Sequence, residues 1–106
     1  MKDLNNNPVV FQKGVEYGIY LYVSADKTKF EPRAEYWSAM NQLTPASSII
    51  VVFGGKLITP PVDNYNNRGG IPAIDLIRDM DLKEGQALHC LFYVEENGIH
   101  HFQVIP

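Results

Sequence analysis

Apolar and polar positions alternate along much of the chain, and this pattern predicts a protein built mainly from β-strands. In the first such segment Ile19, Leu21 and Val23 fall on one face, which is the period-two geometry of a strand. Tyr20 and Tyr22 fall on the opposite face, so both faces are apolar or aromatic. Strands of a closed barrel or of a covered sheet have this property.

Further strand segments follow, and each one ends at a turn signal. "SIIVVF" and "KLIT" are separated by Gly54-Gly55, which predicts a tight hairpin, and Pro60-Pro61 ends the second strand. "ALHCLFYV" and "IHHFQVI" predict a second hairpin around the loop "EENG". Residues 24–30 interrupt the alternation and predict a loop, whereas residues 1–7 predict a flexible tail.

Two short segments have helical spacing, and each begins at a proline. Pro32 opens "PRAEYWSAMNQL" and Pro72 opens "PAIDLIRDM", because a proline ring fits the first turn of a helix. In the second segment the apolar residues lie at i, i+3, i+4 and i+7. Each helix is too short to be stable alone, so we expect both to pack against the sheet.

The two helical segments belong to an internal repeat. Each copy consists of a loop, a proline-started helix, a strand, a hairpin turn and a returning strand. We therefore predict a single domain over residues 1–106, mainly β with two short helices. The predicted architecture is a pseudo-twofold, seven- or eight-stranded open pseudobarrel with a helix at each end.

The second copy, "GGIPAIDLIRDMDLKEGQALHCLFYVEENGIHHFQV", resembles the closing half of the DNA-binding pseudobarrels. These include plant B-three-type transcription-factor domains and the effector domains of some restriction endonucleases, and AbrB-like regulators contain a similar half-barrel. The shared signature is a short helix followed by Leu82-Lys83-Glu84-Gly85-Gln86 and a strand. The resemblance implies a non-catalytic domain that grips double-stranded DNA in the major groove with two loops. Mapped through the repeat, these arms are residues 24–33 and 62–70.

The side chains of the two arms suit DNA recognition. Asn pairs with adenine edges and Arg with guanine edges, whereas Lys and Arg also neutralise phosphates. The tyrosine is expected to pack on a sugar or a thymine methyl group. The predicted DNA-binding residues are Ser24, Lys27, Lys29, Arg33, Asn64, Tyr65, Asn66, Asn67 and Arg68.

The charge of the chain is unusual for a DNA-binding protein. The formal net charge is -3, and residues 71–106 carry two Lys/Arg against six Asp/Glu. Residues 1–70 carry seven against six, so a locally basic face is compatible with the sequence.

The single cysteine, Cys90, excludes an internal disulfide and fits a reducing compartment. We expect a cytosolic protein, because the longest apolar run, residues 49–53, is too short to span a membrane.

The sequence predicts neither a metal site nor an enzyme. His100 and His101 are adjacent in a strand and point to opposite faces, and no set of Cys or carboxylate ligands completes a tetrahedral site. No nucleophile motif, phosphate-binding loop or acid–base pair is present, and no cofactor is expected. Cleavage of DNA would then need an attached or associated nuclease domain.

Three alternatives remain open at this point. The polar arm "DNYNNRGG" has the composition of an ordinary solvated loop. A second possibility is a protein-binding inhibitor or immunity-type module that uses an acidic helix face formed by Asp75, Asp79, Asp81 and Glu84. The third is a barrel that holds a small ligand. For DNA recognition we expect a monomer, because both half-barrels lie in one chain.

Overall fold

Seven strands form one curled sheet in the computed structural model, which describes residues 11–40 and 45–105 except for the side chains of residues 35 and 38. The predicted tail at residues 1–7 lies outside the described residues. The strands are β1 (Tyr17–Val23), β2 (Lys29–Pro32), β3 (Ser48–Phe53), β4 (Lys56–Ile58), β5 (Ile71–Pro72), β6 (Ala87–Val94) and β7 (Ile99–Val104). The helices are α1 (Ala34–Met40), the single-turn α2 (Asp63–Asn66) and α3 (Ile74–Asp79). The predicted mainly β, open pseudobarrel fold is confirmed.

The concave face of the sheet forms the core, and the alternation seen in the sequence explains which residues enter it. Ile19 and Leu21 of β1 and Phe92 of β6 are fully buried, whereas Tyr20 between them points outward and is 47% exposed. β1 pairs with β6 over six residues, and β6 pairs in turn with β7. The continuous antiparallel ladder β2–β1–β6–β7 therefore carries most of the inward-facing apolar side chains.

The repeat in the sequence does not extend to the pairing of its strands. In the first copy the returning strand β4 is an edge of the sheet, whereas the corresponding strand β7 is an interior strand. β3 and β7 pair in parallel, with Ile49 opposite His100 and Val51 opposite Phe102. The two hairpins are thus similar locally but are not equivalent positions in the sheet.

The helices begin two residues later than the prolines predict. Pro32 is the last residue of β2, where it lies opposite Leu21, and Pro72 is the last residue of β5. Both prolines sit at a strand end, where the missing N–H removes little of the ladder. The prediction that Pro32 and Pro72 open the helices is therefore wrong, because pairing with a neighbouring strand continues through both.

The helices cover different parts of the sheet. Trp37 of α1 packs on Tyr65 of α2, with ring centroids 5.6 Å apart. α3 lies against the β3–β4 hairpin instead. Met80, which directly follows α3, packs so closely on Gly54 that a Cβ atom at this glycine would lie 3.3 Å from the Met80 Cε atom. In the described part of the chain, no helix combines the length and the apolar character that crossing a membrane requires.

Cys90 lies in β6 on the buried face, as its apolar neighbours in the sequence predict. Its side chain is fully buried, and burial raises the pKa of the thiol to about 12. The thiolate is the reactive form of cysteine. Cys90 is thus a core residue whose reactivity is suppressed by the fold.

We expect Cys90 in the folded protein to resist 5,5′-dithiobis(2-nitrobenzoic acid) at pH 8, where a thiol with this pKa is ionised to a fraction of only about 10⁻⁴. The same sample should react with one equivalent of reagent within minutes after unfolding in guanidinium chloride. Rapid reaction of the folded protein would show that the Cys90 thiol is accessible and that β6 does not bury it.

Candidate nucleic-acid interface

The turn between β1 and β2 is fixed by a network of side-chain hydrogen bonds. The Ser24 hydroxyl donates to Asp26 Oδ1 at 2.7 Å and accepts from the backbone N–H groups of Thr28 and Lys29, both at 3.2 Å. The Thr28 hydroxyl also donates to Asp26 Oδ1, at 2.7 Å. Ser24 is buried and its hydroxyl holds the turn, which corrects its prediction as a DNA contact.

Asp26 organises this turn as a carboxylate. The hydrogen bonds from Thr28 and Ser24 lower its pKa from 3.8 to about 2, although the carboxylate itself is exposed. Asp26 is not among the predicted site residues, although the spacing Ser-x-Asp-x-Thr is typical of such a turn. The network presents Lys27, which has a positive φ of 59°, on the outside of the turn.

The remaining cations of the first arm lie on the surface. Lys27 and Arg33 are exposed. Lys29 is half-buried, and its Nζ atom lies 3.7 Å from the Glu31 carboxylate. Of the four residues predicted in this arm, Lys27, Lys29 and Arg33 are therefore placed where a ligand could reach them.

The second arm is not an extended loop, because its centre forms the one-turn helix α2. Tyr65, in this turn, is fully buried, and its hydroxyl shares a hydrogen bond of 2.6 Å with His100 Nδ1 of β7. Its ring also packs edge-on against Phe102, with centroids 5.9 Å apart. Burial raises the pKa of the Tyr65 phenol above its usual range. The prediction that Tyr65 contacts DNA is therefore wrong: it is a core residue.

Asn66 attaches α2 to the loop before β3. Its Oδ1 accepts from the Ala46 N–H at 2.8 Å, and its Nδ2 donates to the Ala46 carbonyl at 3.2 Å. Both polar atoms of the amide are thus used within the protein. The amide of Asn66 is thus oriented by Ala46 and holds the arm, and its predicted contact with a base would have to share or displace these bonds.

The other polar residues of the second arm remain on the surface. Asn64, Asn67 and Arg68 are exposed. Asn67 Nδ2 donates to the Asp63 carbonyl at 2.9 Å, and Arg68 has a positive φ of 63°. Three of the five residues predicted in this arm are therefore exposed. The other two, Tyr65 and Asn66, hold the arm in place.

The two arms meet, because β2 pairs with β5. Lys29 lies opposite Pro72 and Phe30 opposite Ile71, and the Ala73 N–H donates to the Thr28 carbonyl at 3.0 Å. Gly70 permits this approach: it has a φ of 93°, and a Cβ there would lie 2.9 Å from Lys29 Cδ and 3.1 Å from the Phe30 carbonyl oxygen. The two arms, residues 24–33 and 62–70, therefore meet at Lys29 and Gly70, and their exposed residues are together called the arm surface.

His100 has a structural role that its neighbour His101 obscures in the sequence, where the pair suggests a metal site. It alternates with Phe102 and Val104 and therefore belongs to the buried face of β7. A buried imidazole needs a polar partner, and Tyr65 supplies one. Within the described residues, no group of three or more His, Cys, Asp or Glu side chains could hold a metal ion.

The acidic face of α3 is the surface on which the alternative prediction, a protein-binding module, depends. Ion pairs neutralise much of its charge. Arg78 lies 3.0 Å from Asp75 and 3.7 Å from Asp79. Lys56 reaches Asp79 at 3.6 Å, and a further pair joins Lys83 to Asp81 at 3.1 Å. This surface therefore has less negative potential than its sequence predicts.

Comparison of the chain with known proteins yields no relative: no family model matches it, and neither does any curated protein or solved structure.

We expect Asp26 to make the turn, and with it the protein, sensitive to acid. Because the pKa of Asp26 is lowered on folding, its contribution is complete above about pH 4 and is lost as pH falls towards about 2. Asp26→Ala should lower the melting temperature at pH 6, and the difference from the wild type should shrink as the pH falls from about 4 to about 2. Glu96→Ala, in the exposed β6–β7 loop, is the control. A difference that stays constant over this range would contradict this role.

Removal of the Tyr65 hydroxyl should destabilise the protein without changing its shape. Tyr65→Phe deletes the bond to His100 in a buried site, so we expect a loss of about 1–3 kcal/mol in the free energy of unfolding. Tyr20→Phe removes a hydroxyl from the outer face and should change this free energy by less than about 0.5 kcal/mol. Equal effects of the two substitutions in urea unfolding would show that the buried bond contributes nothing.

Proposed function

We propose that the protein recognises specific sequences in double-stranded DNA through the arm surface, as a non-catalytic domain. The observation that carries this proposal is the pairing of β2 with β5, because it brings the two predicted arms into contact. Lys29, which suits a phosphate, then packs against Gly70 of the second arm. The sequence resemblance of the second copy to the closing half of the DNA-binding pseudobarrels supports the same function.

The exposed residues of the arm surface divide by chemistry. Lys27, Lys29 and Arg33 are suited to phosphates, because long cationic side chains neutralise the backbone without selecting a base. Asn64, Asn67 and Arg68 are suited to base edges in the major groove, where Asn selects adenine and Arg selects guanine. Ser24, Tyr65 and Asn66 act through the backbone that they hold, and Asp26 acts in the same way.

A fixed surface favours specific over nonspecific binding. The arm surface carries four cations, Lys27, Lys29, Arg33 and Arg68, against the carboxylates of Asp26, Glu31 and Asp63. Such a small excess gives weak general attraction to DNA, and affinity must come from a matched site. Because α2 is anchored at Tyr65 and Asn66, little backbone conformational entropy is lost when a ligand binds to this turn.

Binding to random duplex DNA, with selection and sequencing of the bound fraction, tests this function. We expect enriched sites, a shallow salt dependence with a slope of about -2 to -3, and no cleavage. Arg68→Ala should lower the preference for the enriched site over random DNA by about fivefold to 150-fold. Lys27→Ala should weaken binding to both DNAs equally and reduce the salt slope by about one.

Lys83→Ala is the matched control, because Lys83 is an exposed cation outside the arms and pairs with Asp81. It should leave both affinity and preference unchanged. The proposal fails if no duplex is bound at about 50 mM salt, where electrostatic contacts are strongest. It also fails if Arg68→Ala and Asn67→Ala both retain the full preference.

A further inference from the structure

The convex face of the sheet is chemically different from the arm surface. None of the outward-pointing residues of β1, β3, β6 and β7 is Lys or Arg. Aromatic and aliphatic side chains dominate instead: Tyr20 stacks on His89 with centroids 5.0 Å apart, and Tyr93 lies 5.6 Å from His101. A solvated face of an antiparallel sheet normally carries more polar and charged residues.

A cleft of about 140 Å³ opens on this face. It is formed where β6, β7 and β3 run side by side, with Leu91 opposite Gln103 and Gln103 opposite Val52. β1 contributes no side chain to this row, because Gly18 stands opposite Leu91. Its main lining residues are Glu16, Val52, Leu91, Tyr93, His101 and Gln103.

Two polar side chains that line the cleft, Glu16 and His101, carry groups without a partner among the described residues. Glu16 is exposed and forms no ion pair with the described residues. The Nε2 atom of His101 is buried and has no hydrogen-bond partner among them. The Glu95 carboxylate lies 3.5 Å from that atom, which is too long for a good hydrogen bond.

We propose that this cleft binds the side chain of an arginine presented by a protein partner. A guanidinium group offers five N–H donors in one plane, which suits the Glu16 carboxylate and the Gln103 amide oxygen, both of which line the cleft and are exposed. The Tyr93 ring provides an aromatic surface for the cation. The methylene groups of the arginine pack on Val52 and Leu91.

The charge distribution supports a basic protein segment as the occupant. The strands that form the cleft carry no Lys or Arg; Lys13 lies three residues before Glu16, and the other cations of the described residues lie in the arms and around α3. Glu16 precedes β1 and the Lys27 turn follows it, so the seven residues of β1 separate the cleft from that turn by about 20 Å. The protein could therefore hold a partner and DNA at the same time, and the cleft does not depend on the DNA proposal.

A pair of peptides tests the proposal directly. ¹⁵N-labelled protein is titrated with N-acetyl-Leu-Arg-Leu-amide and with the same peptide containing citrulline, which keeps the shape of arginine but lacks its charge. We expect saturable shifts in the amide signals of Glu16, Leu91, Tyr93 and Gln103 with the arginine peptide. The citrulline peptide should bind about fivefold more weakly, as the loss of one charged contact predicts.

Two variants separate the cleft from general attraction to an acidic protein. Glu16→Gln should weaken the binding of the arginine peptide by about fivefold. Glu84→Gln, the same change of charge near the β1–β2 turn, should leave its affinity unchanged. Equal affinities for the two peptides, equal effects of the two variants, or shifts confined to the arms would overturn the proposal. None of these readouts involves DNA, so failure of the DNA function would leave this test unchanged.

Discussion

The hydrogen bond between Tyr65 and His100 is the interaction on which the arrangement of the arms depends. It joins α2 to β7, an interior strand of the sheet. The residues around Tyr65 are polar, so their composition alone would not place α2 against the core. Burial of a phenol and an imidazole is favourable only when each has a polar partner, so the bond also restricts where α2 can lie. Phe102 and Trp37 enclose the Tyr65 ring and complete this restriction.

Anchoring of α2 changes the meaning of the polar residues around it. Asn66 and Tyr65 are turned inward by their bonds, which leaves Asn64, Asn67 and Arg68 as the outward-facing groups of the same turn. The Ser24–Asp26–Thr28 network has the same effect on the β1–β2 turn. Both arms are thus held by some of the very residue types that suit DNA contacts. A ligand meets surfaces whose shape is set before binding.

Much of the fold could be predicted because period-two alternation is a local property of each strand. The alternation puts Ile19 and Leu21 on one face of β1, and the structure shows that this is the buried face; the predicted hairpin at Gly54-Gly55 is confirmed. The parallel pairing of β3 with β7 could not be predicted, since no local pattern encodes which distant strand becomes a neighbour. Tyr65 was misplaced for a related reason: Asn and Gly around it indicate a loop, and only the distant His100 explains its burial.

The distribution of charge matters more than the net charge of -3 for both proposed surfaces. Ion pairs on α3 neutralise much of the acidic excess of the last third of the chain. The carboxylates of Glu16 and Glu95 remain on the convex face, at the opposite end of β1 from the cations of the β1–β2 turn. At physiological salt, fields fall off over about 8 Å, which is shorter than this separation. An anionic ligand at the arms and a cationic side chain at the cleft would therefore each experience mainly the local charges.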